Sequence, residues 1–219
     1  MEGRFCAICG ERLVTFGDPA ERQEAICGMC RAERPQFERA MAVGSYDGRL
    51  RELLHLLKYE DLRPLAAKLG SMLAQSMLTA GLPGNCVVIP IPLHRRKERQ
   101  RGFNQSLLLA RSVAGQFGFP LLSDCLQRKR ETASQTGLTR EQRRANLRGA
   151  FAVKERARIG GKVVILVDDV FTTGTTAAEC TRVLMRAGAK QVFVATVARV
   201  LKMEAPQLLP AAAPGVKIQ

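Results

Sequence analysis

Residues 163–176 read VVILVDDVFTTGTT, and no other stretch narrows the possible folds as far. The run Val163–Val167 is apolar at every position, the pattern of a parallel strand buried on both faces rather than of a half-exposed one. Two carboxylates, Asp168 and Asp169, follow it, and acids at the end of a buried strand need partners. In open α/β sheets the carboxyl ends of the strands are where ligands bind. Thr172, Thr173, Gly174, Thr175 and Thr176 come next and lead into helical spacing over 175–187. A Gly/Thr loop opening a helix attracts anions through its backbone N–H groups and hydroxyls.

Carboxylates repel phosphate, so the two halves of this stretch conflict unless one ligand carries both hydroxyls and phosphate. A ribose phosphate does: the acids accept from its vicinal hydroxyls, as an acid does in dinucleotide folds, and the loop from Phe171 to Thr176 takes the phosphate. The rivals fit less well. A Walker A loop requires Lys after its last glycine, and none follows Gly174. A Walker B strand without a Walker A has nothing to act on. A phospho-acceptor receiver carries its acids early, whereas only about fifty residues follow here. A purely structural role, with the aspartates capping the turn, stays open.

The flanking segments extend the same architecture. RAMAVGSY (39–46) reads as a strand ended by Gly48, after which Leu50, Leu53, Leu54 and Leu57 recur at helical spacing. Pro64 opens a second helical stretch with Leu65, Leu69, Leu73 and Met77 on one side. VVIPIP (87–92) is a buried strand, 104–117 is helical, Gly188 is a C′ residue, and QVFVATVA (191–198) is a further strand. This alternation predicts an α/β fold: a doubly wound parallel sheet with helices on both faces. From Met203 the Pro- and Ala-rich tail reads as poorly ordered.

Thirty-four Lys plus Arg against twenty Asp plus Glu give a net charge of +14. HRRKERQRGFN (94–104) supplies +4 of this and 127–148 supplies +5, so the excess is concentrated in what reads as two loops. Such patches favour polyanions. With no Trp and two Tyr there is little for base stacking, so contact with nucleic acid would be backbone-directed. Residues 127–137 lack apolar periodicity and read as a long mobile loop, followed by a capping box at Thr139 and Gln142.

Cys6-x-x-Cys9 and Cys27-x-x-Cys30 form two knuckles with seventeen residues between them. Four thiolates at that spacing make a tetrahedral zinc site, closed and therefore structural. An iron site or a metal-free module stays open, and disulfides are disfavoured in a reducing compartment. Residues 1–35 hold too few large apolar side chains to fold unaided, so the metal would supply the stability of this module. Cys86, Cys125 and Cys180 read as core residues. No apolar run approaches the roughly 20 residues of a membrane span, and MEGRFCAICG lacks the apolar region of a secretory signal. The expected location is cytoplasmic.

VVILVDDVFTTGTT resembles the phosphoribosyl pyrophosphate (PRPP) motif of type I phosphoribosyltransferases. The wider chain resembles the ComF, or competence protein F, family over 1–202, through the four-cysteine finger, GSYDGRLRELLHLLKY, VIPIPLHRRKERQRGFNQS and QTGLTREQRRANLRGAF. The resemblance implies a zinc module over 1–35, a type I phosphoribosyltransferase-like domain over 36–202 and a tail over 203–219. It implies that Asp168 and Asp169 hold the ribose hydroxyls, catalytically where transfer occurs, and that Val170, Phe171 and Thr172 to Thr176 complete the PRPP site. Arg95, Arg96 and Arg101 become pyrophosphate contacts, and 127–146 matches the loop that closes over the transition state, with Arg140 and Arg144 as its contacts to pyrophosphate or nucleic acid. Mg²⁺ would accompany PRPP, and zinc the cysteines.

The family also implies a role in natural transformation, with single-stranded DNA and competence helicase or DNA-processing proteins as partners. Nothing in the sequence marks a base-reading hood, and no glutaminase domain is present. Lys58 and Tyr59 stand either at the border of the site or on a solvated helix end. Two functions remain in view: a competence factor that binds PRPP–Mg and DNA, and a salvage-type phosphoribosyltransferase acting on a nitrogenous acceptor.

Overall fold

The computed structural model describes residues 4–13, 25–130 and 139–201. In chain order the elements are β1 (Arg4–Phe5), β2 (Arg12–Leu13), α1 (Gly28–Ala32), β3 (Arg39–Ser45), α2 (Gly48–Tyr59), α3 (Leu65–Met77) and β4 (Cys86–Pro90). They continue with α4 (Arg95–Arg101), α5 (Gln105–Phe117), β5 (Leu126–Arg128), α6 (Arg140–Leu147), β6 (Phe151–Val153), β7 (Val163–Phe171), α7 (Thr175–Arg186) and β8 (Gln191–Arg199). Short 3₁₀ turns lie at Leu78–Ala80 and Arg156–Arg158.

The central sheet has the order β3-β8-β7-β4, with every pairing parallel. Its strands carry apolar side chains on both faces and are covered on both. On one side α2, α3 and α5 bury Leu54, Leu57, Leu69, Leu73, Leu109 and Val113 against Val163, Ile165 and Val167. On the other, Cys180 and Leu184 of α7 pack with Val164 and Leu166, and this second core runs on through Phe37 and Ile8 to the four N-terminal cysteines. Each fully buried leucine contributes roughly 1.5–3 kcal/mol of transfer free energy. α3 and α5 approach closely because residue 70 is glycine: a Cβ there would lie 2.4 Å from the Ser112 Cβ.

Several expectations need correction. The strand at the opening motif does not stop at Val167; β7 runs on through both aspartates to Phe171, because β8 pairs with it in unbroken register as far as Phe171 and Arg199. The strand expected over 87–92 ends at Pro90, although the Ile91 amide still donates to the Val167 carbonyl at 2.9 Å. The first basic stretch is not a loop. It is the helix α4, capped by His94 Nδ1 and closed by Gly102 in the left-handed region. Gln127 and Arg128, expected in a loop, belong to β5, which pairs antiparallel with β6, a strand the sequence reading missed. The capping box at Thr139 and Gln142 is present in both directions. Residues 131–137 of the expected mobile loop and the tail from Met203 lie outside the described residues.

Candidate functional site

β7 ends at the site, and the first turn of α5 holds its acids. Ser106 Oγ donates to Asp168 Oδ1 at 2.8 Å, and Gln105 Nε2 donates to Asp169 Oδ1 at 3.0 Å. Neighbouring strand residues point to opposite faces; one helix turn reaches both carboxylates, which puts the α5 N-terminus at the strand end. That position is set by Asn104, the α5 N-cap, whose Oδ1 accepts from the Ser106 amide at 3.0 Å. Its Nδ2 donates to the Ile91 carbonyl at 3.1 Å, tying the helix to the end of β4.

The two acids differ in charge. Lys58, from α2, forms an ion pair with Asp169 Oδ2, and both side chains are largely buried. Burial alone would raise Asp169, but the Lys58 ammonium and the Gln105 amide outweigh it and hold that carboxyl below the usual range. Among the described residues, Asp168 forms no ion pair. Burial, and then the neighbouring Asp169 charge, push it up to about 8 despite the Ser106 hydroxyl. Near neutral pH the pair therefore carries a proton on Asp168 and a charge on Asp169.

The loop after β7 is built around Gly174, at φ 73°. A Cβ there would lie 2.5 Å from Phe171 Cζ, so the loop folds down onto the Phe171 ring only because residue 174 is glycine. Gly174 is also the N-cap of α7 and, having no side chain, gives the start of that helix no side-chain cap; helix N-termini of this kind suit anions. Thr173 and Thr175 share a hydrogen bond between hydroxyls at 2.8 Å. One side of this loop opens on a cleft of roughly 1150 Å³ walled by the cysteine cluster, α6 and α7.

The predicted basic residues separate into two groups. Arg101 joins the acid pair indirectly: its Nη1 donates to Gln105 Oε1 at 2.6 Å, and its guanidinium lies 5.5 Å from the Tyr59 ring centroid. Arg95 and Arg96 are exposed in the first turn of α4. Arg144 is brought to neither acid; it forms an ion pair with Glu33 beside the cysteine cluster and lines the cleft. Arg140 begins α6.

Cys6, Cys9, Cys27 and Cys30 are all buried, with their sulfurs within 4.8 Å of one another and Cys9 to Cys27 at 3.6 Å. Four thiolates around Zn²⁺ at about 2.3 Å lie about 3.8 Å apart, whereas a disulfide requires about 2 Å; the cluster fits the metal. Burial raises the Cys6 thiol, but surrounding backbone N–H groups outweigh it and bring it down to about 7. Burial pushes Cys9 up to about 11 and Cys30 higher still. A bound metal would take all four as thiolates.

The residues that hold the acids, Ser106, Gln105 and Lys58, were missed or left open in the sequence. The first two sit in an ordinary helix start, where the signal available was Asn104, a residue type favoured at N-caps. Arg199, 6% exposed at the end of β8, gave no signal at all.

Among the described residues no helix is long and apolar enough to cross a membrane. A family model described as "Phosphoribosyl transferase domain" matches residues 104–208, from the α5 cap through the acids and loop to β8. The chain is 36% identical over 208 residues to DNA utilization protein YhgH of Salmonella typhi, covering 90% of this chain and 91% of that one. It is 29% identical over 200 residues to competence protein F of Haemophilus influenzae, covering 89% and 84%. It is 24% identical over 194 residues to competence protein ComFC of Bacillus subtilis, covering 86% and 74%. The chain belongs to the ComF family of phosphoribosyltransferase-like proteins.

Proposed function

We propose that this chain binds PRPP with Mg²⁺ at the end of β7 and handles single-stranded DNA in the cytoplasm during natural transformation. One observation carries the ligand: two carboxylates, fixed by one helix turn, stand beside a glycine-hinged loop that opens a helix without a side-chain cap. Asp168 and Asp169 take the ribose 2′- and 3′-hydroxyls. The backbone of Val170 and Phe171 leads into the loop from Thr172 to Thr176, which takes the 5′-phosphate.

Arg101, tied to the acids through Gln105, is assigned to the pyrophosphate together with Arg95 and Arg96. Mg²⁺ bound with PRPP would supply charge neutralisation at the pyrophosphate. Zinc at the four cysteines is structural. Relatives named for DNA utilization and competence support the nucleic-acid half of the reading. The exposed arginines of α4, with Arg140 and Arg144 of α6, are the contacts to the strand's phosphates, and competence helicases or DNA-processing proteins are the partners.

Two measurements test these halves separately. PRPP–Mg²⁺ should raise the melting temperature and ribose 5-phosphate should raise it less; no shift with either contradicts the ligand. Fluorescence anisotropy should show single-strand binding that weakens steeply with salt. Replacing Arg95, Arg96 and Arg101 by Gln should weaken it, and unchanged binding contradicts the assignment. Transfer to a nitrogenous acceptor is a second reading of the same acid pair; its mark is acceptor-dependent release of pyrophosphate.

A further inference from the structure

Arg199 is a buried cation that the proposed ligand does not touch, and its contacts point in two directions. Toward the N-terminus, its Nη1 donates to the Cys9 carbonyl, and its Nη2 lies 2.5 Å from Glu11 Oε2 and 3.7 Å from the Cys9 sulfur. Toward the phosphate loop, its guanidinium carbon stands 4.8 Å from the centroid of the Phe171 ring. Backbone pairing fixes this stack, because Phe171 and Arg199 are register partners in β7 and β8 and the Val200 amide donates to the Phe171 carbonyl at 2.9 Å. The same ring meets Phe37 edge to face, with centroids 6.1 Å apart and planes at 87°. Its tip fills the space where a Cβ on Gly174 would be.

The loop therefore rests on a ring that contacts both Phe37 and a guanidinium itself pinned to the cysteine cluster. We propose that Arg199 is a positioning residue for the loop over 172–176, coupling its order to occupancy of the four-cysteine site through the ring of Phe171. The physical basis is a differential contact. Four thiolates around a divalent ion leave the cluster net negative, so the guanidinium is held by a charge-assisted contact beside Cys9. Without the ion the knuckle that presents the Cys9 carbonyl and sulfur to the guanidinium is no longer fixed, and the ring beneath the loop loses that support. Coupling of this kind is reciprocal: what orders the loop must also tighten the hold on the metal. The identity of the loop's ligand rests on the reading above, but the link is a property of the ligand-free chain.

The experiment is hydrogen–deuterium exchange of the loop amides in the full-length, zinc-loaded protein, compared with Arg199→Met, Arg199→Lys and Phe171→Leu. Zinc release to a chromogenic chelator and PRPP–Mg²⁺ affinity are measured on the same samples. Arg199→Met should speed loop exchange on the order of tenfold, within the usual range for coupled sites. Zinc removal from the wild type should do the same, and Lys should rescue in part because it keeps charge but not the planar stack. Phe171→Leu, a conservative change that serves where Arg199→Met does not fold, should loosen the loop with the zinc still bound. Unchanged loop exchange in these variants overturns the link, and so does a uniform rise over the whole chain, which marks a merely structural role. If the loop responds but the wild type binds no PRPP, the ligand reading falls and the link stands.

Discussion

The ammonium of Lys58, on α2, sits against Asp169 Oδ2 at the end of β7, and the two side chains are 16% and 8% exposed. This buried ion pair joins α2 to the acid that is held below the usual carboxylate range. Burial would lower the lysine, but Asp169 outweighs it and holds the ammonium above its ordinary value. Removing one partner of such a pair leaves an uncompensated charge. Lys58→Met should destabilise the fold by about 3–5 kcal/mol, and adding Asp169→Asn should recover much of that. Urea denaturation of the two single variants and the double variant measures the coupling.

Asp168 gives the protein a pH dependence of defined sign. Its folded-state value, about 8, is above the ordinary 3.8, so between the two the native state keeps a proton that the unfolded chain releases. Stability from this group is fully present below 3.8 and is lost as pH rises towards about 8. Asp168→Asn should flatten that slope and match or exceed the wild type above about pH 8. Urea midpoints for both proteins between about pH 6 and 9 would show it; parallel slopes would place the proton elsewhere.

Gly174→Ala should disturb the loop without touching the acids. Alanine is strained at φ 73°, and its Cβ would meet Phe171 Cζ at 2.5 Å. The expected destabilisation is about 1–3 kcal/mol. PRPP affinity should fall by about tenfold or more, because the loop loses its binding geometry. Calorimetry on the folded variant separates the two effects.

Cys27→Ser isolates metal ligation from helix capping. The Cys27 sulfur caps α1 by accepting from the Cys30 amide at 3.4 Å, a contact that a serine hydroxyl reproduces. Native mass spectrometry should find one zinc in the wild type and none held stably in the variant. The melting temperature of the variant should fall, because the cysteines belong to the same core as Phe37 and β7.

The parallel sheet was legible because β4, β7 and β8 are apolar at nearly every core position, a pattern few other folds use. The acids and the Gly174 loop were legible because carboxylates, glycine and threonines at a strand end have few structural uses. Lys58, Gln105 and Ser106 were not, since polar residues on an amphipathic helix look alike until its docking angle is known. α4 was misread for the opposite reason. It has no apolar face, being held by its His94 and Gly102 caps, so periodicity had nothing to detect. Arg144 was expected to contact pyrophosphate or nucleic acid from its place in a motif; its ion pair with Glu33, set by the packing of α6 on α7, was not legible.

The central claim is that Asp168 and Asp169 read the sugar of a ribose phosphate. Calorimetric titration of PRPP–Mg²⁺ into the wild type and into Asp168→Asn/Asp169→Asn tests it most directly, with circular dichroism confirming that both are folded. The account predicts saturable binding of one ligand per wild-type chain and none to the double variant. Binding of equal affinity to both proteins would contradict it.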